Sequence, residues 1–262
     1  MAYEHDKAWA VPNPGLQRNL IIEILLLILY PAAFPICRFI AMNRIPEPDL
    51  MNDADQAEAY ALADFSEPHN LFVDRFAQRF PDFSGDGVTL LDLGCGAADV
   101  TIRFATRYPA CVIHGVDGAS AMLQWGQQAI SRAGQTARIN LIQTCLPDPV
   151  LPRDSYGGIF SNSLLHHLKT PTDLWLCIKR YGQPGSPVFI MDLLRPCSET
   201  AARTLVERYA ATEPAVLQRD FFNSLCAAYT LTEVRQQLMQ TGLHHLDSQA
   251  VSDRHFIVAG LL

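Results

Sequence analysis

The sequence predicts an open α/β sheet of seven mostly parallel strands, wound on both faces, and three observations carry that expectation. Short apolar runs recur at residues 88–93, 111–116, 138–143, 158–161 and 187–193. Between most of them lie stretches with apolar residues at helical spacing, at 100–108, 119–132 and 172–181. Strands buried on both faces and alternating with helices make a parallel sheet. The last two runs, 243–251 and 255–261, are joined only by a turn at Ser252-Asp253. So short a link suits an antiparallel pair, not a crossover.

The chain has 262 residues, 49% of them hydrophobic, enough for one substantial core with short appendages. Its formal net charge is −7, and no block of Lys or Arg interrupts the acidic average. Such a surface repels phosphate backbones, so no nucleic-acid partner is expected. The seven cysteines are scattered, without the paired spacing of a zinc site, and no metal ligands are expected. Several sit in apolar runs as small hydrophobes, which fits a reducing, cytoplasmic setting.

Residues 1–42 form an apolar extension. Residues 20–30 read LIIEILLLILY, followed by Pro31 and Pro35. A bilayer span takes about 20 apolar residues, so a full crossing is not expected. A helix of 20–41 lying on a membrane, a packed soluble helix, and a native start at Met42 all stay open. A secretory signal is disfavoured because no small-residue cleavage site follows the apolar run. Residues 43–87 read as a helical cap. One helix carries Ala57, Tyr60 and Ala61, and a second begins at Ser66-Glu67-Pro68 and presents Leu71, Phe72 and Phe76. Residues 88–262 form the catalytic domain, with a helical lid inserted at about 197–229. A helix opening at Leu231 runs to about Gln240, with Gly242 as its C-terminal cap.

The most informative stretch is Leu91-Asp92-Leu93-Gly94-Cys95-Gly96-Ala97-Ala98-Asp99, a buried strand ending in Gly-x-Gly before a helix. Glycines there let the backbone turn tightly and approach a ligand at the carboxyl end of the strand. A dinucleotide fingerprint wants a small third residue where this chain has Asp99, and a carboxylate is unwelcome beside two phosphates. It is tolerable near a sulfonium cation. Asp92 is suited to an ammonium group. Asp117, closing the next strand, can accept from two ribose hydroxyls or cap the helix that follows.

Three blocks in order, Leu91 to Gly96, Gly115-Val116-Asp117-Gly118-Ala119-Ser120-Ala121-Met122, and Phe160-Ser161-Asn162-Ser163-Leu164-Leu165-His166-His167, resemble the class I S-adenosylmethionine-dependent methyltransferases. The similarity spans about residues 55–262 and implies a Rossmann-like fold with S-adenosyl-L-methionine as cofactor. It further implies that Asp92, Gly94, Cys95 and Gly96 surround the methionine part, that Asp117 and Gly118 hold the ribose, and that Met122 lies against adenine. Cys145 stands where the family usually has an acid near the adenine amino group, and Gly157-Gly158 where its fourth strand often has an Asp. Asn162 completes the expected cofactor set.

The expected reaction is methylation of a small-molecule acceptor. In-line methyl transfer needs alignment and exclusion of water more than strong acid–base chemistry. His166, Asn162 and Asp192 are the candidate catalytic groups, a histidine at a strand end being able to take a proton from the acceptor. Tyr60, His69, His166, Arg195 and Phe222 are the candidate acceptor contacts; each has an ordinary structural alternative in packing, capping or ion pairing. A nucleic-acid methyltransferase would carry Asn-Pro-Pro-aromatic where this chain has Asn162-Ser163-Leu164-Leu165. A metal-dependent catechol-type enzyme would need acids absent from Gly157-Gly158 and Asp192-Leu193. The alternative of another class is a protein that binds S-adenosylmethionine without catalysis, as a sensor or for a partner.

Overall fold

A computed structural model describes residues 42–47 and 53–262. The apolar segment 20–41 and its membrane reading lie outside the described residues. Among those described, no helix is long and apolar enough to cross a membrane.

In chain order the elements are α1 (Ala54–Leu62), α2 (Ser66–Arg79), β1 (Thr89–Leu93), α3 (Asp99–Arg107), β2 (Val112–Asp117), α4 (Ser120–Arg132), β3 (Ile139–Gln143) and β4 (Ile159–Asn162). There follow a 3₁₀ turn (Leu165–His167), α5 (Thr172–Tyr181), β5 (Pro187–Leu193), α6 (Glu199–Tyr209), α7 (Ala215–Ala227), α8 (Leu231–Thr241), β6 (Asp247–Ala250) and β7 (His255–Leu261). The seven strands form one sheet in the order β3-β2-β1-β4-β5-β7-β6. The first five run parallel, and β7 runs antiparallel to both β5 and β6.

Each central strand sends alternate side chains to opposite faces, as the pleat requires. Leu91, Leu93, Ile159, Val188 and Ile190 pack under α5 and α8, against Trp175, Ile178 and Leu238. Leu90, Ile113, Phe160 and Phe189 pack under α2 and α3 instead, against Phe72, Phe76 and Phe104. Phe104 stacks on Phe160 with ring centroids 4.4 Å apart, and Phe72 meets Phe189 edge-on at 5.0 Å. The second helix of the expected cap thus shares the central core. The expected lid is the pair α6 and α7, which joins Leu193 through Ala202, Leu205 and Leu225.

Local sequence explains the ends of the elements. Helix α2 starts at Ser66 with Pro68 in its first turn, where a missing N–H costs nothing. Helix α8 opens with a capping box between Thr230 and Glu233 and stops at Gly242, whose φ of 73° favours glycine. β6 is shorter than the apolar pattern suggests. Leu243 and Leu246 precede it in the loop and are buried beneath α5 and α8, so the pattern there reports packing of a loop.

The chain moves outward from β1 to β2 and β3, then returns to place β4 on the other side of β1. That reversal opens a crevice at the carboxyl ends of β1 and β4, where open α/β sheets bind ligands.

Candidate active site

The glycine loop turns at this crevice. Gly94 and Gly96 have φ of 75° and 52°, a region costly for residues with a side chain. A Cβ on Gly94 would also sit 2.9 Å from the Cβ of Leu164. The N–H groups of Gly94 and Cys95 both donate to the Val116 carbonyl, at 2.8 and 3.0 Å. Asp117 completes the hinge: one carboxylate oxygen accepts from Gly96 N–H at 2.9 Å and the other from Ala119 N–H at 2.8 Å. Asp117 thus braces both the start of α4 and the loop, while each of its oxygens keeps a further lone pair. Burial raises its pKa, against the pull of these amides.

A cavity of about 110 Å³ opens beside this hinge, lined among others by Gly94, Asp117, Gly118, Cys145, Leu146 and Leu164. Met122 does not line it. Its side chain is buried with Ala57 and Ala119 beneath α1, and its methyl group lies 3.2 Å from where a Cβ on Gly96 would be. Cys95 is buried as well, its thiol pushed up by burial. Asn162, at the end of β4, keeps a buried Oδ1 with no hydrogen-bond partner among the described residues. A buried acceptor left bare costs on the order of 1–3 kcal/mol, which a donor on a ligand would recover.

Asp92 is 2% exposed and accepts a hydrogen bond from Thr101 Oγ1 at 2.5 Å. Burial drives its pKa up to about 7; the Thr101 hydroxyl opposes the rise and Asp117 adds to it. A cationic ammonium group brought beside it would favour the ionised form. The affinity for S-adenosylhomocysteine should therefore rise from pH 5 to 7 and level off above, by no more than about tenfold per pH unit. Calorimetry across that range checks this. Asp92→Asn should flatten the profile, and an equally steep profile in the variant would remove Asp92 from the ammonium.

Asp99 meets two partners, His69 Nδ1 at 2.6 Å and Arg103 Nε at 2.8 Å. Burial alone would raise its pKa, but these partners hold it down at about 2. The carboxylate that argues against a dinucleotide is thus a clasp between α2 and α3. His69, 5% exposed, faces this clasp, which corrects its expected role as an acceptor contact. Tyr60 stands nearer the crevice. Its ring packs on Phe65 at 4.7 Å, and burial, with Asp99 and Asp117 nearby, pushes its hydroxyl up to about 12.

On the other side of the crevice, Asp192 at the end of β5 is 1% exposed and fully engaged. Oδ1 receives His166 Nδ1 at 2.6 Å and Leu193 N–H at 2.7 Å, while Oδ2 receives Leu165 N–H at 2.6 Å. Burial would raise its pKa, but His166 and these amides lower it. An ionised carboxylate only accepts, so His166 donates through Nδ1, which turns Nε2 to the other side of the ring.

Arg195 does not face this space. It is buried, donates to the Ala228 carbonyl at 3.2 Å and pairs with Glu233 at 2.7 Å, fastening the end of β5 to the cap of α8. Phe222 lies inside the α6–α7 cluster with the Arg203 guanidinium 4.6 Å over its ring. Both are struts where acceptor contacts were expected.

Sequence reasoning missed the segment before α1. Arg44 donates to the carbonyls of Ala227 at 2.6 Å, His166 at 2.8 Å and Leu168 at 3.1 Å, and lies 4.2 Å over the Tyr229 ring. Glu47 pairs with His167 Nδ1 and accepts from Ser224 Oγ at 2.7 Å. Nothing in the local pattern signals these partners.

A family profile described as a methyltransferase domain matches residues 90–185, from β1 through α5. Residues 90–185 are thus a methyltransferase domain. A trans-aconitate 2-methyltransferase of Streptomyces coelicolor is 40% identical over 57 residues, 22% of this chain and 18% of that protein. A 27-O-demethylrifamycin SV methyltransferase of Amycolatopsis mediterranei is 24% identical over 193 residues, 72% of this chain and 65% of that one. The chain thus spans between 18% and 65% of these curated relatives. Among solved structures, a putative S-adenosyl-L-methionine-dependent methyltransferase of Methanococcus maripaludis superimposes with a TM-score of 0.62 at 14% identity, over 83% of this chain and 97% of that one. The profile match stops before Asp192 and before α6 and α7.

Proposed function

We propose that the chain transfers the methyl group of S-adenosylmethionine to a small-molecule acceptor held between the 3₁₀ turn, α1 and α7. The observation that carries this reading is the Asp117 carboxylate closing on the Gly94–Gly96 hinge beside a cavity at the strand ends. The residues suit the cofactor. Asp117 has lone pairs to spare for the ribose hydroxyls, Asp92 suits the ammonium, and Asn162 Oδ1 is a bare acceptor at the end of β4. When bound, the sulfonium supplies an electrophilic methyl group and a neutral thioether leaving group.

The chain itself must hold and align the acceptor. Tyr60 and the 3₁₀ turn border the crevice, and α7 packs against that turn. Asp192 aims His166 with its Nε2 lone pair free for the acceptor's nucleophilic atom, directly or through a bound cation. Enclosing the reacting atoms raises their effective concentration and excludes water. The relatives named for trans-aconitate and a rifamycin support an acceptor of small-molecule size, as does the acidic surface.

Incubation with methyl-labelled S-adenosylmethionine and a panel of small hydroxyl, carboxyl and thiol compounds tests the reading. Label should pass to a small molecule, and S-adenosylhomocysteine should bind one per chain. Cofactor binding with no transfer across the panel would leave a binding protein instead. Uptake of a dinucleotide in place of S-adenosylhomocysteine would overturn the assignment altogether.

A further inference from the structure

The 3₁₀ turn carries two adjacent histidines, and the segment 42–47 brings a carboxylate to them. Ligand atoms of Glu47, His166 and His167 all lie within 4.8 Å of one another. The two imidazole rings stand 4.0 Å apart at an angle of 39°. We propose that these three side chains bind one divalent transition-metal ion, of which zinc best suits the donors.

Donor chemistry favours that class of ion. Two imidazole nitrogens and one carboxylate oxygen are a zinc-type set, whereas magnesium and calcium favour oxygen ligands throughout. Three protein ligands also leave a fourth tetrahedral position open, as in catalytic zinc sites.

The surroundings are those of a built site. His166 Nδ1 donates to Asp192, which fixes the tautomer and leaves Nε2 as the ligating atom. Glu47 is steadied by Ser224 Oγ at 2.7 Å. Arg44 bonds to the His166 and Leu168 carbonyls on either side of His167, pinning the strand of chain that carries Glu47 to the turn that carries its partners. The ligands are therefore held before an ion arrives, which lowers the ordering cost of binding. The direct contact between Glu47 and His167 must open to admit the ion, because ligands around zinc stand further apart than a hydrogen-bonded pair.

The consequence for the acceptor rests on the proposed methyltransferase reading. An acceptor hydroxyl or thiol at the fourth position would give up its proton to solvent as its oxygen or sulfur bonds the metal. That atom would then form the new bond to the methyl carbon while the carbon–sulfur bond of the sulfonium breaks, leaving the neutral thioether.

The test uses the full chain, stripped with a chelator and titrated with zinc against a chromogenic competitor. One equivalent should bind, and Glu47→Gln and His167→Ala should each weaken it at least about 100-fold. Binding of S-adenosylhomocysteine, measured on the same preparations, should stay within about twofold as evidence of an intact fold. Cobalt in place of zinc should give the visible absorption of a tetrahedral nitrogen–oxygen site in the native chain and lose it in Glu47→Gln. Failure to take up an equivalent, or uptake undiminished in both variants, overturns the site and leaves Glu47–His167 as an ordinary ion pair. Zinc bound without any affinity for S-adenosylhomocysteine would sink the methyltransferase reading while sparing the metal.

Discussion

Asp192→Asn should lower turnover at least about 100-fold while the affinity for S-adenosylhomocysteine changes by less than about threefold. Three donors converge on this carboxylate, from His166 Nδ1, Leu193 N–H and Leu165 N–H. An amide offers one accepting oxygen and one donating nitrogen. Either its NH₂ faces Leu165 N–H, or it faces His166 and reverses the imidazole tautomer. In both cases Nε2 is no longer presented as a lone pair in the same place. Asp192 is a positioning residue, so its loss should appear in kcat and spare cofactor affinity. A variant that turns over normally would show that His166 needs no such aim.

Asp117→Ala should weaken S-adenosylhomocysteine binding at least tenfold, about 1.4 kcal/mol or more. Two effects add. The carboxylate proposed to hold the ribose disappears, and the Gly96 and Ala119 amides lose the oxygens that hold the hinge against β2. Asp117→Asn separates the contributions, because an asparagine oxygen can still accept from one amide and one hydroxyl. Calorimetry that finds the alanine variant within threefold of the native chain would take the sugar away from Asp117.

The fold was legible because its signals are local. Buried runs between helical periods give the five parallel strands, and the two-residue turn before His255 gives the antiparallel pair. The glycine hinge was legible for the same reason, since Gly94, Gly96 and Asp117 lie on one βαβ unit. The opposite wall was not. Glu47 and Arg44 meet His166 and Leu168 only after the sheet has folded, and no periodicity joins those segments. Arg195 misled for a related reason: a cation at a strand end looks available until Glu233, in a distant helix cap, claims it. His69 belongs to the same class, its partner Asp99 being fixed by the packing of α2 on α3. Burial does the rest, since the length of a loop says nothing of which carboxylate it will desolvate, as with Asp92.

The position of β7 bears on how the protein is made. Of the seven strands of the sheet it comes last in the chain, yet it lies between β5 and β6 and pairs with every residue of β5 from Pro187 to Leu193. Until it emerges, β5 presents a bare, apolar edge of the kind that joins other chains. The nascent protein therefore carries an adhesive border through the synthesis of α6, α7 and α8, until β7 emerges to cover it.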